Sequence, residues 1–374
     1  MGRHLTETVP PGVVALADYE AHARARLDDN AWAYFAGGAG DEITLQANRR
    51  AWDALALQSR VLRPLAGGHT RVELLGRTLA HPVLLAPIAY QRLAHPQGEL
   101  ASALAAAAQG AGIVLSTQAS VTLEEIARIA LGEADRGPLW FQLYLQPDRG
   151  VTRALVERAE AAGYEALVLT VDAPVSGARD RERRAGFRVP PGIAAVNLAD
   201  VPARAAAPVV PGQSALFDGL LRDAPTWADV EWLRGITRLP LVLKGVLHPQ
   251  DAQTAVGLGA AALIVSNHGG RTLDTLPPTA AVLPRIADAV GARVPVLVDG
   301  GIRRGTDVLK AVALGARAVL LGRPYLHALA AAGAVGVAHA IRLLRDELEI
   351  ALALTGCATL SEVTRASLFE ADSR

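Results

Sequence analysis

The chain is poor in cysteine and in aromatic side chains, and it carries no net charge. It has a single cysteine, Cys357, so an internal disulfide is excluded and a reducing compartment is expected. Aromatic residues make up 4% of the chain, too few for the stacking platforms that bind single-stranded nucleic acid. Lys and Arg number 37 and so do Asp and Glu, which leaves no field to draw in nucleic acid or an anionic membrane. Neither partner is expected. The opening stretch MGRHLTETVPPGVV lacks the continuous apolar core of a secretory signal. Ala-rich segments 101–111 and 328–340 are broken by polar residues or glycine and read as buried helices, not membrane spans. A soluble, cytoplasmic protein is the expectation.

What the chain does have is hydrophobic residues, 51% of the total, gathered in short runs that each lead into a helical stretch. The runs are PVLLAP (82–87), GIVLS (112–116), LWFQLY (139–144), ALVLTVD (166–172), LPLVLKG (239–245), ALIVSN (262–267), VPVLVDG (294–300) and RAVLLG (317–322). Runs that are apolar throughout suit strands covered on both faces, hence a parallel sheet. Several helical stretches stop at glycine, as in AAQGAG and VALGA. Eight strand–helix units predict a TIM (β/α)8 barrel, with an open doubly wound sheet as the rival arrangement. We expect one domain over 1–374: an N-terminal extension (1–80) of helices and a short hairpin closing the barrel's bottom, the barrel (81–345), and a C-terminal helix and tail (346–374). One interval breaks the rhythm. Between Asp172 and Leu239, RDRERR, RVPPGIAAVN and ARAAAPVVPGQS form a long irregular excursion, positioned to act as a lid.

In such a barrel the chemistry sits at the C-terminal ends of the strands. Those positions hold Ala89, Ser116, Gln142, Tyr144, Thr170, Asp172, Lys244, Ser266, His268, Arg271, Asp299, Gly322 and Arg323. Glycines and arginines in DGGIRRGTD and LLGRP, each leading into a helix, predict a phosphate site after the last two strands. Solvated arginines on tight turns are the plainer alternative. Lys244 ends an apolar run, where a bare ammonium would be costly, so it needs a carboxylate, a Schiff-base substrate or a cofactor that becomes negative. Asp172 is placed to orient His268 as a general base, and Arg271 suits a substrate carboxylate.

The motifs YFAGGAGDEITLQANRRAW, APIAYQRLAHPQGE, FQLY, LTVDAP, LVLKGV, SNHGGRTLD, DGGIRRGTDVLKA and LGRP occur in the order of a known family. From Tyr34 to Cys357 the chain resembles the FMN-dependent α-hydroxy-acid oxidases and dehydrogenases. The resemblance implies FMN as cofactor and oxidation of an (S)-2-hydroxy acid to the 2-oxo acid, with O2 as acceptor and hydrogen peroxide as by-product. It implies His268 as base with Asp172 orienting it, Arg271 and Arg179 clamping the carboxylate, and the hydroxyls of Tyr34 and Tyr144 assisting. Lys244 would face the flavin N1–O2 edge and stabilise the reduced ring. Backbone at Pro87, Ile88 and Ala89 would lie against N5, with Ser116, Gln142, Thr170 and Ser266 around the ring. Asp299 would hold the ribityl chain, and Gly301, Arg303, Gly322 and Arg323 the phosphate. No metal enters this site, and a homotetramer is the implied assembly. Ile88, Gln118 and Ser176 stand where glycolate oxidases carry Thr, Trp and Leu, which implies a differently shaped pocket. Ala89, where some dehydrogenases have glycine, favours the oxidase over a dehydrogenase with another acceptor. An FMN-dependent barrel isomerase and a phosphate-ligand-binding barrel are the readings from other classes.

Overall fold

The computed structural model describes residues 7–201 and 212–369. The chain begins with helices α1 (Tyr19–Arg26), α2 (Asp29–Ala36) and α3 (Ile43–Ala54), then a hairpin of β1 (Val72–Leu74) and β2 (Arg77–Leu79). Eight parallel strands follow: β3 (Val83–Leu85), β4 (Gly112–Ser116), β5 (Leu139–Leu143), β6 (Ala166–Thr170), β7 (Leu241–Lys244), β8 (Ala262–Val265), β9 (Val296–Val298) and β10 (Ala318–Leu321). They pair in sequence order and β10 returns to pair with β3, so the sheet closes and no edge is left. This is the expected barrel. The open-sheet rival is excluded. All but β4 are one to four residues shorter than the apolar runs, because the run ends turn out of the sheet into the loops.

Every residue of these strands is buried, since side chains alternate between the barrel interior and the covering helices. Burial of each Leu, Ile or Val side chain contributes about 1.5–3 kcal/mol. The helices are α4 (Glu99–Ala108), α5 (Leu123–Ala130), α6 (Arg149–Ala161), α7 (Asp180–Arg184), α8 (Trp227–Ile236), α9 (Pro249–Gly257), α10 (Thr279–Val290), α11 (Gly305–Ala313) and α12 (Arg323–Thr355). The Ala-rich segments fall in α4 and α12, where Ala103, Ala106, Ala328 and Ala331 are fully buried. Register then sets the rim: Ser116 lies beside Gln142, and Thr170 beside Lys244. Four polar side chains therefore finish their strands next to one another.

Two expectations need correction. The hairpin does close the bottom, where Arg77 donates to Glu165 and to the Arg136 carbonyl just ahead of β6 and β5. Helices α2 and α3, however, lie at the opposite end, over the mouth. Thr44, Asn48 and Trp52 recur every four residues on the buried face of α3. Their polar atoms find partners in loop groups at the strand ends: Trp52 Nε1 donates to Gly300 O (2.8 Å), and Asn48 and Asn267 exchange amide hydrogen bonds (2.9 Å). The boundary drawn at 345/346 also fails, because it falls inside α12. That helix breaks instead at Ala332–Gly333, where the φ/ψ angles are non-helical.

The excursion after β6 contains α7, two further short turns, Val196–Leu198 and Ala215–Leu220, and then α8. Residues 202–211, which include most of ARAAAPVVPGQS, lie outside the described residues. The rest crosses the mouth, placing Arg179, Glu182, Phe187, Val189 and Trp227 on the wall of the central cavity.

Candidate active site

The mouth of the barrel opens into a cavity of about 1150 Å3, walled by the ends of the strands and by the excursion. Pockets for single small molecules are typically about 300–1,000 Å3. There is room here for a cofactor and a second ligand.

Past β8 the chain turns sharply. His268 adopts a left-handed φ of 55°, uncommon for a non-glycine residue and found where a site dictates the backbone. Its Nδ1 meets Asp172 Oδ1 at 2.9 Å, which fixes the proton on Nδ1 and leaves Nε2 as the basic nitrogen on the cavity wall. Asp172 comes this close because residue 245 is glycine: a Cβ there would stand 2.5 Å from Asp172 Cβ. Burial pushes the His268 pKa down, against the opposing pull of Asp172, so the imidazole is neutral and available near neutrality. Burial works to raise the Asp172 carboxyl, but His268 and Lys244 outweigh it and hold it below its ordinary value.

Lys244 is 4% exposed, and burial alone would strip its proton. Asp299 (3.2 Å) and Asp172 reverse this and hold its pKa above the usual lysine value. The Ser266 hydroxyl accepts from Lys244 Nζ (2.9 Å) and from the His268 N–H (3.0 Å), tying base and cation together. The Gln142 side chain accepts from the Thr117 N–H (3.2 Å) and the Ser116 hydroxyl (3.3 Å), and donates to Thr170 (3.1 Å). Pro87, Ile88 and Ala89 form the wall beside them.

At the other end, the loops after β9 and β10 present Gly301, Arg303, Gly322 and Arg323 to the cavity. Arg323 donates to Phe35 O (3.0 Å), Gly269 O (2.9 Å) and Gly37 O (2.8 Å). Burial, followed by the charges of Arg271 and Arg303, pulls its pKa down to about 9. Burial also lowers Arg303, with Arg49 adding to the effect. Nearby His327 is driven down to about 3 by burial and then by both arginines, and its buried Nε2 has no partner among the described residues. A phosphate dianion would relieve this crowding of positive charge. The buried Asp299 Oδ1, likewise unpartnered among the described residues, is an acceptor waiting for a hydroxyl. Anion-seeking arginines at one end, a lone acceptor midway and a lysine beside a polar rim fit FMN.

Beside His268 sits the second ligand's clamp. Arg271 Nη1 donates to Tyr34 O (2.5 Å) and Gly37 O (2.8 Å), and its guanidinium lies 5.1 Å from the Tyr34 ring centre. Arg179 Nε donates to the Arg271 carbonyl at 3.2 Å, so the two guanidiniums share one corner. Burial pushes the Tyr34 hydroxyl up to about 12 and raises Tyr144 as well, so both stay neutral donors.

All the anticipated residues meet here, with two set behind the wall. Asp172 and Ser266 do not line the cavity; they support His268 and Lys244 from the rear. Sequence reading passed over Glu182, Tyr90, Phe187 and the pairs Asn48–Asn267 and Arg49–Asp307. Asn48 was detectable as a polar residue on the buried face of α3. For Glu182, in the charge run RDRERR, no pattern separated the inward residue from its solvated neighbours.

The chain matches the FMN-dependent dehydrogenase family over residues 23–370. It is 50% identical to an L-lactate oxidase of Alicycliphilus denitrificans over 97% of this chain and 98% of that one. It is 42% identical to glycolate oxidase 1 of Zea mays over 94% and 95%. A crystal structure of mandelate oxidase with (S)-2-phenylpropionate superposes with a TM-score of 0.84 at 44% identity, covering 95% of this chain and 98% of that chain.

Proposed function

Because the chain belongs to the family of FMN-dependent dehydrogenases, we propose that the cavity is its active site and that each residue there has a definable role. The protein is an FMN-dependent oxidase that converts a 2-hydroxy acid to the 2-oxo acid. The observation that carries the reading is the placement of the Asp172-supported imidazole of His268 and the guanidinium of Arg271 on one turn, SNHGGR, facing the same space, with Arg179 reaching the same corner from the excursion. Proton removal and carboxylate capture then act on adjacent atoms of one small molecule.

Arg271 and Arg179 hold the carboxylate, and Tyr34 and Tyr144 donate to it. His268 Nε2 takes the substrate's proton, and Asp172 stabilises the imidazolium that forms. Bound FMN supplies the two-electron acceptor, and O2 carries the electrons away as hydrogen peroxide. Lys244, kept charged by Asp299 and Asp172, would place fixed positive charge beside the bound ring. Ser116, Gln142 and Thr170 would hold the ring against Pro87–Ala89, with Ser266 fixing Lys244 from behind; Asp299 would take the ribityl chain, and Gly301, Arg303, Gly322 and Arg323 the phosphate.

We also read the protein as a cytoplasmic homotetramer. Exposed Ile350 and Leu354 on α12 offer an apolar contact face, and sedimentation of the native protein tests the assembly.

The experiment is an anaerobic titration of the yellow protein with the enantiomers of 2-substituted glycolates, lactate and mandelate among them. Bleaching by (S)-acids and return of colour with air, accompanied by peroxide, is the expected result. A protein that takes up FMN but is bleached by none of them refutes the reading.

A further inference from the structure

The two arginines that face the substrate carboxylate already share a carboxylate of the chain's own. Glu182 lies between them, its side chain 13% exposed, with Oε1 3.1 Å from Arg271 Nη2 and 3.2 Å from Arg179 Nη1. It lines the cavity with both of them. Two guanidiniums less one carboxylate leave the corner with a single positive charge. The donor inventory agrees: Arg271 Nη1 is taken by the Tyr34 and Gly37 carbonyls, and its Nη2 donates to Glu182. What remains serves one small carboxylate.

Elsewhere in the cavity, among the described residues, no cation is left for a second acid. Lys244 is paired with Asp299, Arg303 and Arg323 belong to the phosphate end, and the further charged residue on the wall is Asp251, itself an acid. Leu145, Val175, Phe187, Val189, Trp227 and Val230 make much of the remaining surface apolar.

We propose that Glu182 sets the site's selectivity for 2-hydroxy acids with one carboxylate and an apolar side chain, by cancelling one of the two clamp charges. The proposal rests on the oxidase reading above. Glu182 acts through the guanidiniums, positioning them and fixing their net charge. A second substrate carboxylate about 6 Å from Glu182 would be disfavoured roughly a hundredfold at an effective dielectric of about 20.

The test compares the holoenzyme with Glu182→Gln. Oxygen uptake gives kcat/KM for 2-hydroxybutyrate and for malate, a monocarboxylate and a dicarboxylate of equal chain length. Perturbation of the flavin spectrum gives affinities for acetate and oxalate without turnover. In the unaltered protein malate is expected to be at least about tenfold the poorer substrate, given that like-charge penalty. In Glu182→Gln, malate gains on 2-hydroxybutyrate, and oxalate on acetate, by about tenfold or more. Glu182→Asp, which keeps the charge, restores the original ratios. Equal use of both substrates by the unaltered protein overturns the proposal without any variant having to fold. So does a Glu182→Gln protein in which both anions shift by the same factor. If no 2-hydroxy acid is turned over at all, the oxidase reading fails, and the oxalate-to-acetate ratio still decides the role of Glu182.

Discussion

Replacing Asp172 with Asn removes one negative charge and keeps the shape of the side chain. The carboxylate oxygen is 2.9 Å from His268 Nδ1, which puts the two charge centres about 4 Å apart once the imidazole is protonated. At an effective dielectric of about 20 that attraction is about 4 kcal/mol. If about half of the proton's charge has reached the imidazole in the transition state, roughly 2 kcal/mol of stabilisation is lost. Full transfer loses all 4, so flavin reduction should slow between about 30-fold and 1,000-fold. The assay is anaerobic stopped-flow bleaching at saturating (S)-hydroxy acid, which isolates the step from reoxidation by O2. The pH profile supplies an independent check. His268 must be neutral to accept a proton, so the rate rises with pH through its pKa. Asp172 raises that pKa, so its removal moves the rising limb to lower pH. A loss under threefold at the plateau, with the limb unmoved, would refute the assignment of base and orienter.

Three other outcomes follow from the same geometry. Gly245→Ala should slow reduction much as Asp172→Asn does while FMN stays bound, because the new Cβ stands 2.5 Å from Asp172 Cβ; bleaching rate and bound-flavin absorbance measure the two effects separately. Arg303→Met should weaken FMN binding by about 10- to 100-fold, the worth of a charged hydrogen bond, as read by ultrafiltration of free flavin. Arg49→Met removes the guanidinium from Asp307, which is 1% exposed and accepts Arg49 hydrogen bonds of 2.6 and 2.8 Å, and leaves it the Arg303 and Arg304 N–H groups. That costs about 3 kcal/mol, since Arg49 is partly solvated, and for a chain of this size lowers the thermal midpoint by about 4 °C.

The barrel was legible because its signal is periodic. A strand covered on both faces must be apolar throughout, and eight such runs followed by helices admit few closures. The site was legible at the strand ends for the same reason: a polar residue finishing an apolar run, such as Lys244 or Asp172, has no packing purpose. What stayed hidden depends on folding back. Helices α2 and α3 carry ordinary amphipathic patterns, which say that one face is buried but not against which end of the barrel. Glu182 lies in a run of alternating charge, and only the path of the excursion turns it inward. The break in α12 at Ala332–Gly333 was masked by alanines that continue the helical pattern on both sides.

The carbonyl of Gly37 accepts from Arg271 at one end of the cavity and from Arg323 at the other, each at 2.8 Å. One peptide group is thus common to the substrate corner and to the phosphate corner. Substrate range and flavin retention are consequently not independent traits of this scaffold. By reciprocity, any ligand that draws Arg271 away from Gly37 must change the affinity for FMN by the factor with which FMN changes its own. Changes to the 34–40 segment made to admit new acids will surface first as colourless protein, and selecting for retained colour would be the way to keep such variants alive.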